Sequence, residues 1–267
     1  MTTIETYFLS LSLIEAGILA SLIAGLAAGI GALPVFVVRS VSARLNDVLL
    51  GVAAGLMLGA SVFSLILPAI ASGAARTGSG TLATLDVAAG ILAGGVLLWL
   101  VHRILPHEHF VKGREGLDAS RVKGLWLFTI AITVHNFPEG LAIGVGFGGG
   151  DVGNGLALTT AIFLQNLPEG FAVALAMLAL DYRPSAAVIV ALLTGLVETI
   201  GGFVGAGVVS LSASLLPYAL AFSAGAMLFV ISHEIIPETH RNGHETPATF
   251  GIMIGFVLMM FLDVAIA

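Results

Sequence analysis

The chain alternates long apolar runs with short polar or glycine-rich breaks. A helix needs about 20 apolar residues to cross a bilayer, and eight of the runs are long enough. We place these spans at residues 10–38, 47–71, 82–104, 124–148, 154–180, 185–209, 214–237 and 248–266. Two connections are longer than the others: 72–81, rich in Gly, Ser and Thr, and 105–123, which is polar. The pattern predicts an all-α polytopic membrane protein with one transmembrane domain over residues 1–267.

The positions of the ten Lys and Arg residues predict how the spans are oriented. Cytoplasmic loops carry an excess of basic residues. With both termini extracytoplasmic, the outer side holds only Arg76. The inner loops then hold Arg39, Arg44, Arg103, Lys112, Arg114, Arg121, Lys123, Arg183 and Arg241. This distribution favours eight spans with both termini outside.

Composition excludes several classes of protein. The chain is 58% hydrophobic and 10% charged, with 34 glycines, which no soluble domain matches. It has no cysteine, so disulfides and thiolate metal sites are excluded. The first basic residue is Arg39, so we expect no signal peptide.

Weak internal similarity predicts an inverted repeat. The segment 25–32 in span 1 shares four identities with 195–202 in span 6, and spans 2 and 7 carry Pro68 and Pro237 near their C-terminal ends. Spans 1 and 6 run in opposite directions in the predicted topology. We therefore expect spans 1–3 to be related to spans 6–8, with spans 4 and 5 between them (3+2+3), a plan known in transporters.

A six-residue phrase occurs twice inside apolar runs, as His-Asn-Phe-Pro-Glu-Gly at 135–140 and Gln-Asn-Leu-Pro-Glu-Gly at 165–170. In each copy the first residue and the glutamate four positions later share a helix face. The polar positions of both copies are His135, Asn136, Glu139, Gln165, Asn166 and Glu169. Polar groups at this depth are costly and usually functional. Two buried carboxylates repel each other, so a divalent cation or a shared proton must neutralise them.

Other residues are candidates with alternatives. Asn136 and Asn166 serve a second metal or bond the carbonyls that the prolines leave free. Glu198, in the middle of span 6, is a ligand or a proton carrier. Met57 in span 2 is by default core filler, and metal ligation is the less favoured alternative.

Further imidazoles and carboxylates lie toward the cytoplasmic side. His233 and Glu234 end span 7, followed by His240 and His244 in the next loop, and they predict an exit route for metal. The loop 105–123 contains His107, Glu108 and His109, which could hold metal weakly. Solvated loop histidines usually have no such role.

These motifs resemble the ZIP (Zrt-, Irt-like) divalent-metal transporters, in their bacterial GufA-like and Bordetella ZIP-like branch. The likeness covers nearly the whole chain. It rests on eight spans, the loop after span 3, the two Pro-Glu-Gly motifs and the phrase at 233–245. It implies a multi-pass protein of the bacterial inner (plasma) membrane that forms homodimers. It also implies an elevator-like motion of spans 1, 4, 5 and 6 against spans 2, 3, 7 and 8.

The resemblance implies a binuclear site between spans 4 and 5. Its first metal would use His135, Glu139, Gln165 and Glu169, with Met57 nearby. Its second metal would use Asn136, Glu139, Glu169 and Glu198, with Asn166 as a further ligand. Position 166 is Asn where the close bacterial relative has Asp, so the second position carries one charge fewer.

The expected activity is uptake of a divalent transition metal into the cytoplasm. The ligand types suit Zn²⁺ and also Cd²⁺, Fe²⁺, Co²⁺ or Mn²⁺ as cargo. We expect no organic cofactor and no nucleic-acid partner. The alternatives are a membrane metalloenzyme and a metal-gated channel or sensor. A His-Glu-x-x-His motif is absent, since Val111 and Pro237 occupy the position of its second histidine, and we do not expect an enzyme.

Overall fold

The computed structural model describes residues 3–104, 107–109, 113–115, 124–179, 181–240 and 242–266, with the backbone alone at 107–109, 113–115, 124–132 and 179. Helices make up almost all of it. Their bounds are α1 Thr3–Leu9, α2 Leu13–Ala32, α3 Ala43–Ala60, α4 Leu67–Thr77, α5 Gly80–Ile104, α6 Gly124–Gly148, α7 Val152–Ala179, α8 Pro184–Gly195, α9 Val197–Leu211, α10 Leu216–Val230, α11 Ile236–Thr239 and α12 Glu245–Ile266.

Seven helical segments are long and apolar enough to cross a membrane. They are Leu13–Phe36, Ala43–Thr77, Gly80–Ile104, Val152–Leu178, Pro184–Leu211, Ala213–Thr239 and Glu245–Ile266. Each corresponds to one of the predicted spans. The remaining predicted span, 124–148, coincides with the 25-residue helix α6. The described chain is therefore an all-helical, multi-pass membrane protein, apart from one small hairpin.

The expected connections were partly wrong. Most of 72–81 is helical, because α4 continues to Thr77 and only Gly78 and Ser79 separate it from α5. Gly78 ends α4 with a φ of 70°, a left-handed conformation that glycine adopts without strain. The loop 105–123 contains two short strands, β1 His107–His109 and β2 Gly113–Glu115, which pair antiparallel.

Two predicted spans differ in detail from the structure. The sequence predicts span 1 at 10–38, but α2 begins only at Leu13. Ser12 starts it with a capping box: the Ser12 amide donates to Glu15 Oε2 (2.9 Å) and the Glu15 amide to Ser12 Oγ (3.3 Å). Span 6 is broken at Leu196, between α8 and α9, in a stretch whose apolar pattern gives no sign of a break.

Spans 2 and 7 share a local widening. Ser61–Ile66, between α3 and α4, and Ile231–Ile235, between α10 and α11, are π-helical. Each precedes a proline, Pro68 or Pro237, which cannot donate the usual backbone hydrogen bond. Such widenings are frequent at functional sites.

The spans pack in pairs with close backbone approaches. Helix α3 packs along α12, α5 along α10, α6 along α9 and α2 along α7. Small residues allow this proximity in a membrane, where van der Waals contact replaces the hydrophobic effect. A Cβ at Gly94 of α5 would lie 2.0 Å from the carbonyl oxygen of Phe222 in α10, whereas one at the adjacent Gly95 would lie 3.8 Å from its nearest neighbour, Gly225 O.

We predict that Gly94→Ala destabilises the protein by about 1–3 kcal/mol, the usual cost of overpacking. Gly95→Ala should leave stability unchanged, since its methyl group meets only ordinary contacts. Thermal unfolding of both variants in the same detergent checks this. Equal melting temperatures for the two variants would contradict the close packing of α5 on α10.

Candidate metal centre

The doubled motif lies on two neighbouring helices. Helix α6 carries His135, Asn136 and Glu139, and α7 carries Gln165, Asn166 and Glu169. Both helices continue through their prolines, Pro138 and Pro168. Glu198 lies in the first turn of α9, directly after the break at Leu196.

Hydrogen bonds join these helices in pairs. Gln165 Nε2 on α7 donates to Glu139 Oε1 on α6 (2.5 Å). Asn166 Nδ2 donates to Glu198 Oε1 on α9 (2.6 Å) and to the carbonyl of Ala24 on α2 (2.9 Å). The amide groups of Gln165 and Asn166 therefore each donate to one oxygen of a carboxylate, Glu139 or Glu198, and the other oxygen of that carboxylate is left over.

Five oxygens of the doubled motif and of Glu198 are buried without a hydrogen-bond partner. They are Asn136 Oδ1, Glu139 Oε2, Gln165 Oε1, Asn166 Oδ1 and Glu198 Oε2. Their side chains are 0–1% exposed. Such orphaned acceptors are costly, and each calls for a specific explanation. All five atoms accept and none donates, so only a cation or a proton donor can satisfy them.

The carboxylates are also neighbours. Glu139 is close enough to Glu169 and Glu198 to interact electrostatically with both, and Glu169 interacts likewise with His135. Glu139 and Glu198 are fully buried, whereas Glu169 is half-buried. Helices α6 to α11 contain no Lys or Arg that could compensate the charge. The site is thus rich in negative charge and poor in hydrogen-bond donors.

His135 contacts Glu234, a residue of span 7 outside the doubled motif. Its Nε2 lies 2.5 Å from Glu234 Oε2. The other oxygen of Glu234, Oε1, is bound by Nε2 of His102 on α5. Glu234 therefore contacts the central site directly. The sequence predicts only that it lies on the exit route toward the cytoplasm.

Within the part of the chain that the structure describes, no three His, Asp or Glu side chains form a preformed metal-binding group. Their pairing accounts for this, since Glu139 is held by Gln165, Glu198 by Asn166 and His135 by Glu234.

Other predicted residues have separate places. Met57 is buried on α3 within the main apolar cluster, and its role as a ligand stays a prediction. The ring of His233 stacks on Phe229, with centroids 4.9 Å apart. His240 Nε2 contacts Thr249 Oγ1 at 3.1 Å. His244 Nδ1 lies 2.9 Å from Asp47 Oδ2.

The predicted loop cluster forms part of the hairpin. His107, Glu108 and His109 make up β1, and their side chains lie outside what the structure describes. Metal binding by this cluster stays a prediction.

Two polar residues with structural partners were missed from the sequence. His102 is 4% exposed and Asp47 2% exposed. Both lie near a span end, where charged and polar residues are ordinary. The only sign in the sequence was the type of residue. His102 is an imidazole next to Arg103, and Asp47 is an acidic residue close to the basic Arg44.

We predict that Glu139→Gln stabilises the metal-free protein, because it removes repulsion among buried carboxylates while Gln165 keeps an acceptor. The same change should abolish the rise in melting temperature that zinc produces in the wild type. Thermal unfolding with zinc and with a chelator measures both effects, and the exposed Asp181→Asn serves as the charge-matched control. An undiminished zinc shift in the Glu139→Gln variant would contradict the site.

Comparisons with known proteins place the chain among proteins of one family. A family model described as ZIP Zinc transporter matches residues 107–263. Zinc transporter GufA of Myxococcus xanthus is 47% identical over 251 residues, which cover 94% of this chain and 99% of the relative. Zinc transporter ZIPB of Bordetella bronchiseptica is 50% identical over 244 residues, covering 91% and 79%. Human Zinc transporter ZIP11 is 33% identical and covers 88% and 93%. The chain belongs to the ZIP zinc transporter family, in its GufA-like branch.

Proposed function

We propose that the protein takes up divalent transition-metal ions, zinc foremost, into the cytoplasm through the site between α6 and α7. The observation that carries the proposal is the set of five buried, partnerless oxygens on the ligands of the doubled motif and on Glu198. A divalent cation satisfies such acceptors and neutralises the neighbouring carboxylates. The three relatives are zinc transporters by name, which supports zinc as cargo.

We assign the site two metal positions. The first uses His135, Glu139, Gln165 and Glu169, with Met57 nearby, and the second uses Asn136, Glu139, Asn166, Glu169 and Glu198. Support comes from the orphaned oxygens, of which four belong to the second position, and from the electrostatic contact of Glu139 with both other glutamates. The three amides keep affinity moderate, as a site that must release its cargo requires.

The proposed cargo includes Cd²⁺, Fe²⁺, Co²⁺ and Mn²⁺ besides Zn²⁺. Imidazole, carboxylate and amide ligands suit all of them, and selection then depends on geometry and availability. We propose weaker metal-binding positions toward the cytoplasm. They are formed by His233, Glu234, His240 and His244, and by the loop residues His107, Glu108 and His109. The contact of Glu234 with His135 supports the start of this route.

We propose that α6 crosses the membrane as well as the seven segments given above, which makes eight spans. Both termini then lie outside a bacterial inner membrane. The basic residues support this orientation, with Arg76 alone on the outer side. The whole chain then forms one transmembrane domain, and a homodimer is the assembly that the family resemblance suggests.

An inverted repeat is supported by matched contacts. A Cβ at Gly31 would lie 2.0 Å from Leu167 O, and one at its equivalent Gly201 would lie 2.4 Å from Phe137 O, in the other copy of the motif. Gly25 and Gly195, equivalent positions in the two halves, approach each other's carbonyl oxygens, at 2.2 Å from the added Cβ in both directions. Residues that meet their own equivalents are expected at a two-fold axis.

The same symmetry supports a division into two bodies. The pairs α2–α7 and α6–α9 are equivalent under the repeat, as are α3–α12 and α5–α10. The first set contains every glutamate of the site. We propose that this set carries the metal past the second in an elevator-like motion.

We predict that Glu139→Ala and Glu169→Ala each lower zinc uptake about tenfold or more. Even the loss of a residue that hydrogen-bonds a metal ligand typically lowers metal affinity or activity about 10- to 100-fold. Radiolabelled zinc uptake into proteoliposomes with equal amounts of inserted protein measures this. Asp181→Asn should transport like the wild type. Normal uptake by both alanine variants would contradict the central site.

The topology can be tested cleanly, because the chain has no cysteine. We predict that a membrane-impermeant maleimide labels Gly80→Cys in intact cells, and that Thr246→Cys reacts only after permeabilisation. Both positions are exposed and lie at helix starts, Gly80 beginning α5 and Thr246 following the first residue of α12. The reverse labelling pattern would contradict both termini being outside.

A further inference from the structure

His135 is held by a residue outside the proposed metal site. Its Nε2 lies 2.5 Å from Oε2 of Glu234, which belongs to the π-helical segment between α10 and α11. Glu234 is 6% exposed, so the contact is buried. His135 also interacts electrostatically with Glu169 of the doubled motif. His135 is therefore a neighbour both of a glutamate of the site and of one outside it.

His102 fixes the position of Glu234. Its Nε2 contacts Glu234 Oε1, and its Nδ1 lies 2.8 Å from the carbonyl oxygen of Leu98, one turn earlier on α5. A carbonyl only accepts, so Nδ1 carries the hydrogen of that bond. The ring is also packed edge-on against Phe229, with centroids 5.3 Å apart. With Oε1 occupied by a fixed ring, Oε2 of Glu234 is aimed at His135.

One ring nitrogen cannot serve two partners. Imidazole Nε2 either faces Glu234 or donates its lone pair to a metal ion. We propose that Glu234, positioned by His102, is a competitor of the metal: it holds His135 in the metal-free protein and must release it when metal binds. This inference rests on the proposed function, in which His135 is a metal ligand. It assigns a positioning role to His102, for which the sequence offered no role.

The competition joins the two proposed bodies of the protein. His135 lies on α6, in the set that carries the metal, whereas Glu234 and His102 lie on the set that it moves against. The contact between His135 and Glu234 therefore joins the two sets of helices only while His135 is not bound to metal.

The direction in which Glu234→Gln changes the affinity for zinc distinguishes a competitor from simpler roles. If Glu234 acted only as a metal-binding position on the exit route, Glu234→Gln would weaken zinc binding or leave it unchanged. If it were only structural, the change would lower transport without tightening binding. A competitor has the opposite effect, because the apparent Kd falls when the competent state is more populated.

Equilibrium zinc titration of purified protein in nanodiscs tests the proposal. We expect Glu234→Gln to lower the Kd for zinc about threefold to tenfold, and to lower the KM for uptake. His102→Leu should lower the Kd in the same direction. His102→Gln, which keeps a polar side chain against Glu234, should stay within about twofold of the wild type.

A Kd that is unchanged or raised in both Glu234→Gln and His102→Leu overturns the competition. Glu139→Ala separates this outcome from failure of the proposed site. If Glu139→Ala binds zinc as the wild type does, the central site is wrong. If it loses binding while Glu234→Gln does not gain it, only the competition is wrong.

Discussion

A membrane interior offers no water to a buried carboxylate or amide oxygen, and the centre of this protein depends on that constraint. Oxygen atoms of Glu139, Glu198 and three amide side chains lie there without donors. Between them the hydrogen bonds from Gln165 and Asn166 satisfy only half of each carboxylate. The shortage of donors is what makes a divalent cation a suitable occupant.

The glycines and the paired helices make this arrangement possible. A Cβ at Gly140 would lie 1.9 Å from Glu198 O, and one at Gly170 would lie 2.0 Å from Ala28 O. The two contacts are equivalent under the proposed repeat, yet Glu198 and Ala28 differ. Symmetric packing thus brings the helices together, and asymmetric side chains give the site its charge. His135 differs from Gln165 in the same way, and only the imidazole reaches Glu234.

The helices and the core of the site could be predicted because their signals are local. Apolar runs marked the spans, and His135 and Glu139 share a face through helix periodicity alone. The break at Leu196 and the partners of His102 depend on packing between distant spans, which leaves no trace in a short stretch of sequence. The end of α4 was misjudged because Gly, Ser and Thr at 72–81 read as a loop in water but are compatible with a helix among other helices.

The central claim is that the doubled motif binds the transported metal. Anomalous diffraction at the zinc edge from zinc-soaked crystals tests it most directly. We expect a peak between Glu139 and Glu169, with His135 turned from Glu234 to the metal, and a second peak near Glu198 if both positions fill. Zinc peaks confined to other parts of the protein, with Glu139 and Glu169 left without metal at saturating zinc, would contradict it.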